Sequence, residues 1–266
     1  MTRRWSLIGL IVGLAIALTV VLVTMGGGGD DGAEAKQAPA ADAKDKGKKP
    51  NMKGVAWWPM DEKSGTIAAD AAGNHDATLQ GGAIFGSAAQ GIAPQKGGNA
   101  LYLNGQSQYA AVVGSKVLNT NGDYSVAARV RLDNKGFRTA VSIDGTKHSV
   151  FYLQYTNTEK RFAFSFINQR ALANTVGDPQ LGRWYHLVGT YSAASGTLSI
   201  YVDGALSGNA LARNIERPAG NLVIGRGKFD GKPVDFWSGG ITDVHAYNRA
   251  LSPADVASLA KGEPAA

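Results

Sequence analysis

Between Gly225 and Trp237 the chain reads GRGKFDGKPVDFW, which gathers Arg226, Lys228, Asp230, Asp235 and Trp237 into one short stretch. Charged groups can fix hydroxyls and an indole can stack on an apolar face, so this stretch has the makings of a ligand surface. Its glycines lack the Gly-x-Gly-x-x-Gly spacing and no helix follows, which excludes a phosphate cradle. It reads as a long polar loop, and loops on a rigid scaffold often carry binding. The alternative is a loop whose Phe236 and Trp237 fold back onto the core. A second stretch, Asp70-Ala71-Ala72-Gly73-Asn74-His75-Asp76, is dense in oxygen donors. Calcium takes 6–8 oxygens from carboxylates, amides and carbonyls, and such a loop suits it. A plain turn is the competing reading.

Other chemistries lack their residues. Glycoside hydrolysis uses two carboxyls flanking the scissile bond, and no strand of this chain carries a Glu-x-Asp-x-Glu run. There is no Gly-x-Ser-x-Gly elbow for a serine nucleophile. The four histidines, His75, His148, His186 and His245, have no zinc-ligand spacing. The absence of cysteine removes disulfides, thiolate metal sites and a cysteine nucleophile. His186 lies on an alternating strand and reads as a packed residue rather than a catalytic one.

The elements that would position these residues are short strands. In WYHLVGTYSAASGTLSIYVDGALSG, Trp184, His186, Val188 and Thr190 fall on one face, and Tyr185, Leu187, Gly189 and Tyr191 on the other. Asp203-Gly204 then predicts a tight hairpin turn. Similar runs occur at Ala100–Leu103, Tyr109–Val113, Tyr124–Leu132, Val150–Tyr155, Arg161–Ile167, Asn221–Ile224 and Gly240–Tyr247. Many strands at turn-punctuated intervals predict an all-β, two-sheet antiparallel jelly-roll sandwich. One helix is predicted, with Ser252 as N-cap, Pro253 at its first position and Gly262 as its stop.

Ahead of this domain, residues 7–25 carry no charge. As a helix they would span about 29 Å, close to the ~30 Å hydrocarbon core. Residues 1–25 therefore read as a transmembrane anchor. Arg3 and Arg4 place the N-terminus in the cytoplasm and the rest outside. A signal peptide cleaved on secretion is the alternative. Residues 26–53 are rich in Gly, Ala, Lys and Asp and read as a flexible linker, residues 54–262 as the folded domain, and 263–266 as a tail. The net charge of +6 divides evenly between residues 1–53 and the remainder. A charge so spread offers no clustered basic face and argues against a nucleic-acid partner.

The domain resembles the laminin G-like jelly-roll modules of the concanavalin A-like lectin/glucanase superfamily. The resemblance rests on AWWPMDEKSGTIAADAAGNHDATLQGG (56–82), ALYLNGQSQYAAV (100–112), YSVAARVRL (124–132), GRWYHLVGTYSAASGTLSIYVDGALSG (182–208), LVIGR (222–226) and SGGITDVHAYNRALSPADVASL (238–259). It implies two antiparallel sheets and a binding module for carbohydrate or protein. It also implies a structural calcium with Asp70 and Asp243 as candidate ligands and Asp76 as a further candidate. Thr242 departs from the pattern, standing where a second aspartate is common. The function expected is a membrane-tethered, extracytoplasmic, non-catalytic module for a glycan or protein ligand. The alternatives are a glycoside hydrolase or lyase with an atypical site, or a structural envelope protein.

Overall fold

The computed structural model describes residues 54–87, 98–114, 116–212, 215 and 220–262. The expected anchor, linker and tail lie outside these residues. No helix among the described residues is long and apolar enough to cross a membrane.

Two antiparallel sheets face one another, as expected. In the first, neighbouring strands are Ala205–Leu211 (β14), Thr197–Val202 (β13), Trp184–Ser192 (β12), Tyr124–Leu132 (β7), Ser238–Tyr247 (β18), Asn99–Asn104 (β5) and Ile84–Ser87 (β4). Ala56–Trp58 (β1) also pairs with β18. The second sheet runs Gln169–Leu172 (β11), Arg161–Phe166 (β10), Ser149–Thr156 (β9), Arg138–Asp144 (β8), Leu222–Ile224 (β15), Tyr109–Val112 (β6), Ala77–Gln80 (β3) and Ile67–Ala68 (β2). A separate hairpin pairs Gly227–Phe229 (β16) with Lys232–Val234 (β17). The helix spans Pro253–Lys261 (α1).

The core between the sheets is aromatic. Tyr124 meets Phe151 at 5.5 Å, Phe162 meets Tyr185 at 5.1 Å, and Phe166 meets Tyr191 at 5.3 Å between ring centroids. These side chains come from alternate positions, which is the period-two pattern of a strand with one face inward. Gly189 lies on that inward face because a Cβ there would stand 2.3 Å from the Phe164 ring. The opposite face of β12 packs under α1, where Val188 meets Val256 and Leu259 in a second apolar cluster. Asp203 and Gly204 form the expected tight turn, at φ of 50° and 86°.

The helix forms where its caps predict. The Ser252 hydroxyl accepts from the Asp255 amide, and the Asp255 side chain accepts from the Ser252 amide, a reciprocal capping box. Gly262 closes it in the left-handed conformation at φ 67°. Beneath its C-terminal end, Arg129 donates to the carbonyls of Leu259 and Ala260 at 3.3 and 2.8 Å. Carbonyls left without intrahelical partners at a helix end are thereby satisfied by a side chain rooted in β7.

Candidate functional site

The expected polar loop after Gly225 is instead the β16–β17 hairpin. Asp230 and Gly231 make its turn, with φ of 48° and 76°. The hairpin is fastened across the outer face of the second sheet. The Lys228 amide donates to the Ser149 hydroxyl at 2.8 Å, and the Tyr152 hydroxyl donates to the Lys228 carbonyl at 2.5 Å. Gly227 lets the hairpin approach this closely, since a Cβ there would come within 2.9 Å of the Tyr152 ring. Sequence reading took the segment for a loop because each strand has only three residues, too few for alternation to register.

Laying a hairpin over a sheet leaves a groove beside it, with a volume of about 430 Å³. Tyr152, Gln154 and Phe166 line it from the sheet. Phe229, Val234 and Asp235 line it from the hairpin side. The turn residues Ile167 and Asn168, together with Arg170, contribute from β10–β11, and Phe137 from the approach to β8. Phe137 and Phe229 remain 37% and 51% exposed, so two phenyl faces are offered to whatever enters. Concave, mostly apolar sites with a few placed polar groups are where small ligands bind.

Asp235 is the one carboxyl among these lining residues. It holds φ at 54°, and the Thr139 amide donates to its carbonyl at 2.8 Å. Its side chain accepts no hydrogen bond from any described residue. Burial raises its pKa above the ordinary carboxylate value, and the charges of Arg138 and Arg170 only partly offset that. The Arg138 guanidinium is engaged elsewhere, and that of Arg170 spends one of its donors. Arg138 donates to Asn134, Gly105 and Phe236, and Arg170 is paired with Glu159 at 3.5 Å.

The other residues expected to bind a ligand are placed differently. Arg226 is buried in a two-pronged pair with Asp144, at 2.6 and 3.0 Å, and lies over the Tyr109 ring. The Lys228 ammonium donates to the Gly145 carbonyl at 2.9 Å. Asp230 is at the exposed hairpin tip. Trp237 is wholly buried in the core, its indole donating to the Arg131 carbonyl, so the alternative reading of that residue is the one observed. Of the five, the structure brings Asp235 alone to the groove lining.

The expected metal ligands hold hydrogen-bond donors. The Asp70 carboxylate accepts from the amides of Trp57, Ala72 and His75 and from the His75 ring. Burial would raise its pKa, but these bonds outweigh burial and lower it. Asp76 accepts from the Asp70 amide at 2.8 Å. Asp243 sits at a bulge in β18, at φ 52°. It accepts from Trp57 and His245, each at 2.9 Å, and pairs with Arg129 at 3.3 Å. Burial would raise Asp243 too, yet its partners hold it well below the usual carboxylate range. Trp57 thus bridges Asp70 and Asp243, through its backbone amide and its indole. Among the described residues no group of three or more His, Asp or Glu is arranged to hold a metal ion.

Phe137, Tyr152, Gln154 and Arg170 are groove residues that sequence reading missed. One signal was present: on β9, Tyr152 and Gln154 alternate with the core residues Phe151, Leu153 and Tyr155. Alternation assigns them to the outer face. What it omits is that a distant hairpin covers that face and makes it a groove.

Comparison with known proteins fits this architecture. A laminin G-like family model, described as the concanavalin A-like lectin/glucanases superfamily, matches residues 104–257. The sialidase of Trypanosoma rangeli in complex with sialic acid superposes with a TM-score of 0.59 at 20% identity, over 85% of this chain and 35% of that one. Domain 4 of AbnA, a GH43 extracellular arabinanase from Geobacillus stearothermophilus, in complex with arabinotriose, superposes with a TM-score of 0.55 at 19% identity. It covers 77% of this chain and 97% of that domain. At these identities the likeness is one of fold. A rat protein with sushi, von Willebrand factor type A, EGF and pentraxin domains is 25% identical over 138 residues, 49% of this chain and 4% of that protein. The chain thus spans only a small part of that curated relative and about a third of the sialidase. The expected function is corrected here. A non-catalytic binding module is not what the comparisons back. The structures of like fold are a sialidase and a domain of an arabinanase, which fit the glycoside hydrolase alternative better. The family match extends over more than half of the sequence, and the chain belongs to the concanavalin A-like lectin/glucanases superfamily.

Proposed function

We propose that this chain is a carbohydrate-active domain serving glycoside hydrolysis, with the groove beside the β16–β17 hairpin as its saccharide site. The observation that carries the reading is the groove itself, whose lining holds two exposed phenyl rings and a carboxyl that accepts no hydrogen bond from any described residue. Phenyl rings take the apolar faces of sugars, and a carboxyl and a guanidinium fix their hydroxyls. Asp235 is the one carboxyl of the groove lining, where glycoside hydrolysis uses two, so its part in this reading is to accept from sugar hydroxyls. Further support comes from the arabinanase domain, a full-length match in fold whose structure was solved with arabinotriose.

The test is to titrate the full chain with arabinotriose and with neutral and acidic trisaccharides, followed by NMR, and to assay the same sugars for reducing-end release. Binding should shift the resonances of groove residues. Phe229→Ala should weaken it about tenfold, since an aromatic contact is worth about 1–1.5 kcal/mol. Neither binding nor release with any of these sugars would remove the proposal.

A further inference from the structure

We infer that Arg138 is the positioning residue of this groove: its guanidinium fork fixes the backbone of residues 235–237 and so aims the Asp235 carboxyl at the ligand. The inference rests on the saccharide reading of the groove and adds the residue that prepares it.

No described residue donates a hydrogen bond to the Asp235 carboxyl, so its direction is set by the backbone that carries it. That backbone is in the left-handed region, at φ 54°, where a residue with a Cβ stays only when its surroundings hold it. Three consecutive carbonyls do the holding. The Asp235 carbonyl accepts from the Thr139 amide at 2.8 Å, the Phe236 carbonyl from Arg138 Nη1 at 2.8 Å, and the Trp237 carbonyl from the Gly105 amide at 2.9 Å. Arg138 holds the middle one. The same Nη1 donates to the Gly105 carbonyl at 3.2 Å, so one guanidinium ties Phe236 to the turn that holds Trp237.

The guanidinium is seated between two glycines. A Cβ at Gly136 would stand 3.2 Å from Arg138 Cζ, and one at Gly105 would stand 3.4 Å from it. Both glycines are at positive φ, 144° and 75°. On the remaining edge, Nε and Nη2 donate to Asn134 Oδ1 at 3.1 and 2.6 Å, and Asn134 Nδ2 donates in turn to the Ser238 hydroxyl at 2.8 Å. Each nitrogen of the fork thus donates to the protein, and none of these bonds goes to the Asp235 carboxyl. Its two neighbours in the chain complete the arrangement. Phe137 lines the groove, and the Thr139 amide holds Asp235. A lysine ammonium is a point charge on a flexible stem and does not reproduce a planar fork that reaches Asn134, Gly105 and Phe236 together. Locking the group that meets a ligand through residues that do not touch it is how a binding site is made precise.

The experiment follows arabinotriose binding to the full chain by NMR, together with the carbon resonance of the Asp235 carboxyl in the free protein. Arg138→Gln should weaken binding about tenfold, the effect of losing one hydrogen bond to a charged group. Arg138→Lys keeps the charge without the fork and should fail to restore the affinity. Both variants should shift the Asp235 carboxyl resonance. Asp235→Gly deletes the carboxyl and accepts the left-handed backbone. In that background Arg138→Gln should change the affinity by less than about twofold, because the residue through which it acts is already gone. Parent affinity in Arg138→Gln or in Arg138→Lys, with only the urea midpoint lowered, would make Arg138 a structural clamp and overturn the inference. A tenfold loss repeated in the Asp235→Gly background would show that Arg138 reaches the groove by another route, and would overturn it too. If the parent chain binds none of the trisaccharides, the saccharide reading falls by itself. The positioning role is then decided in the free protein, where a shifted Asp235 carboxyl resonance in Arg138→Lys supports it and an unmoved one removes it.

Discussion

His186 and Asp235 are both titratable groups taken out of water, and burial moves them in opposite directions. The imidazole of His186 is 2% exposed, and neither ring nitrogen has a hydrogen-bond partner among the described residues. Burial first, and then the charge of Arg129, push its pKa down to about 3. The unfolded chain would bind that proton near pH 6.5. Between pH 6.5 and 3 the unfolded state therefore holds more protons, and stability falls as pH falls. The slope for one such group is about 1.4 kcal/mol per pH unit. At pH 4.5 the loss should reach about 2–3 kcal/mol relative to pH 7. Urea unfolding at a series of pH values measures it, and His186→Phe should flatten the slope across this window. An unchanged slope in the variant would mean that other groups cause the acid sensitivity. The sequence places His186 on a strand face opposite Tyr185 and Leu187, and that assignment holds. Its lack of a partner was not legible, because which donors and acceptors surround a strand residue depends on strands far away in the chain.

At the scale of elements, legibility follows length and local signals. Strand β7 has nine residues and the helix has a capping box, so each declares itself within its own sequence. The three-residue strands of the hairpin declare nothing, and neither does the bulge that turns Asp243 onto the same outer face as His245 and Tyr247. How α1 is held down is likewise distributed. Its N-terminal end is capped locally by Ser252, whereas its C-terminal end depends on Arg129, 130 residues from Leu259. Arg129 also pairs with Asp243, and both side chains are almost fully buried. Removing one partner of a buried pair leaves the other charge stranded, which typically costs about 3–5 kcal/mol. Losing a serine N-cap costs about 1 kcal/mol. Arg129→Ala should therefore destabilise the domain several times more than Ser252→Ala. Hydrogen exchange of the α1 amides should accelerate in both variants. Equal costs in urea unfolding would show that α1 is held chiefly by Val256 and Leu259.

At the scale of the whole molecule, the sandwich brings together residues that the sequence separates widely. Trp57, Asp70 and Asp243 meet because β1 pairs with β18 across nearly the full length of the domain. That juxtaposition is the one the family resemblance led us to expect for a calcium ion, and in the structure its carboxylates accept hydrogen bonds from nitrogen donors. Every oxygen of Asp70 and Asp243 accepts at least one hydrogen bond from a nitrogen donor. Calcium needs those same oxygens, and 6–8 in all. It would have to expel the Trp57 indole, the His245 ring and the Arg129 guanidinium from Asp243, and leave buried donors unpaired. An unpaired buried donor costs about 1–3 kcal/mol, so each displaced donor weakens the binding of the ion. A ligand at 100 times its dissociation constant contributes about 2.7 kcal/mol. That gain would raise the melting midpoint by roughly 5–10 °C in a domain of this size. The midpoint in millimolar calcium should instead match the midpoint in chelator to within about 1 °C. Asp243→Ala should lower it in both conditions alike, because what is lost is the nitrogen-donor network. A calcium-dependent rise that disappears in Asp70→Ala and Asp243→Ala would show that the ion displaces these donors, and that the network is the resting state of a metal site.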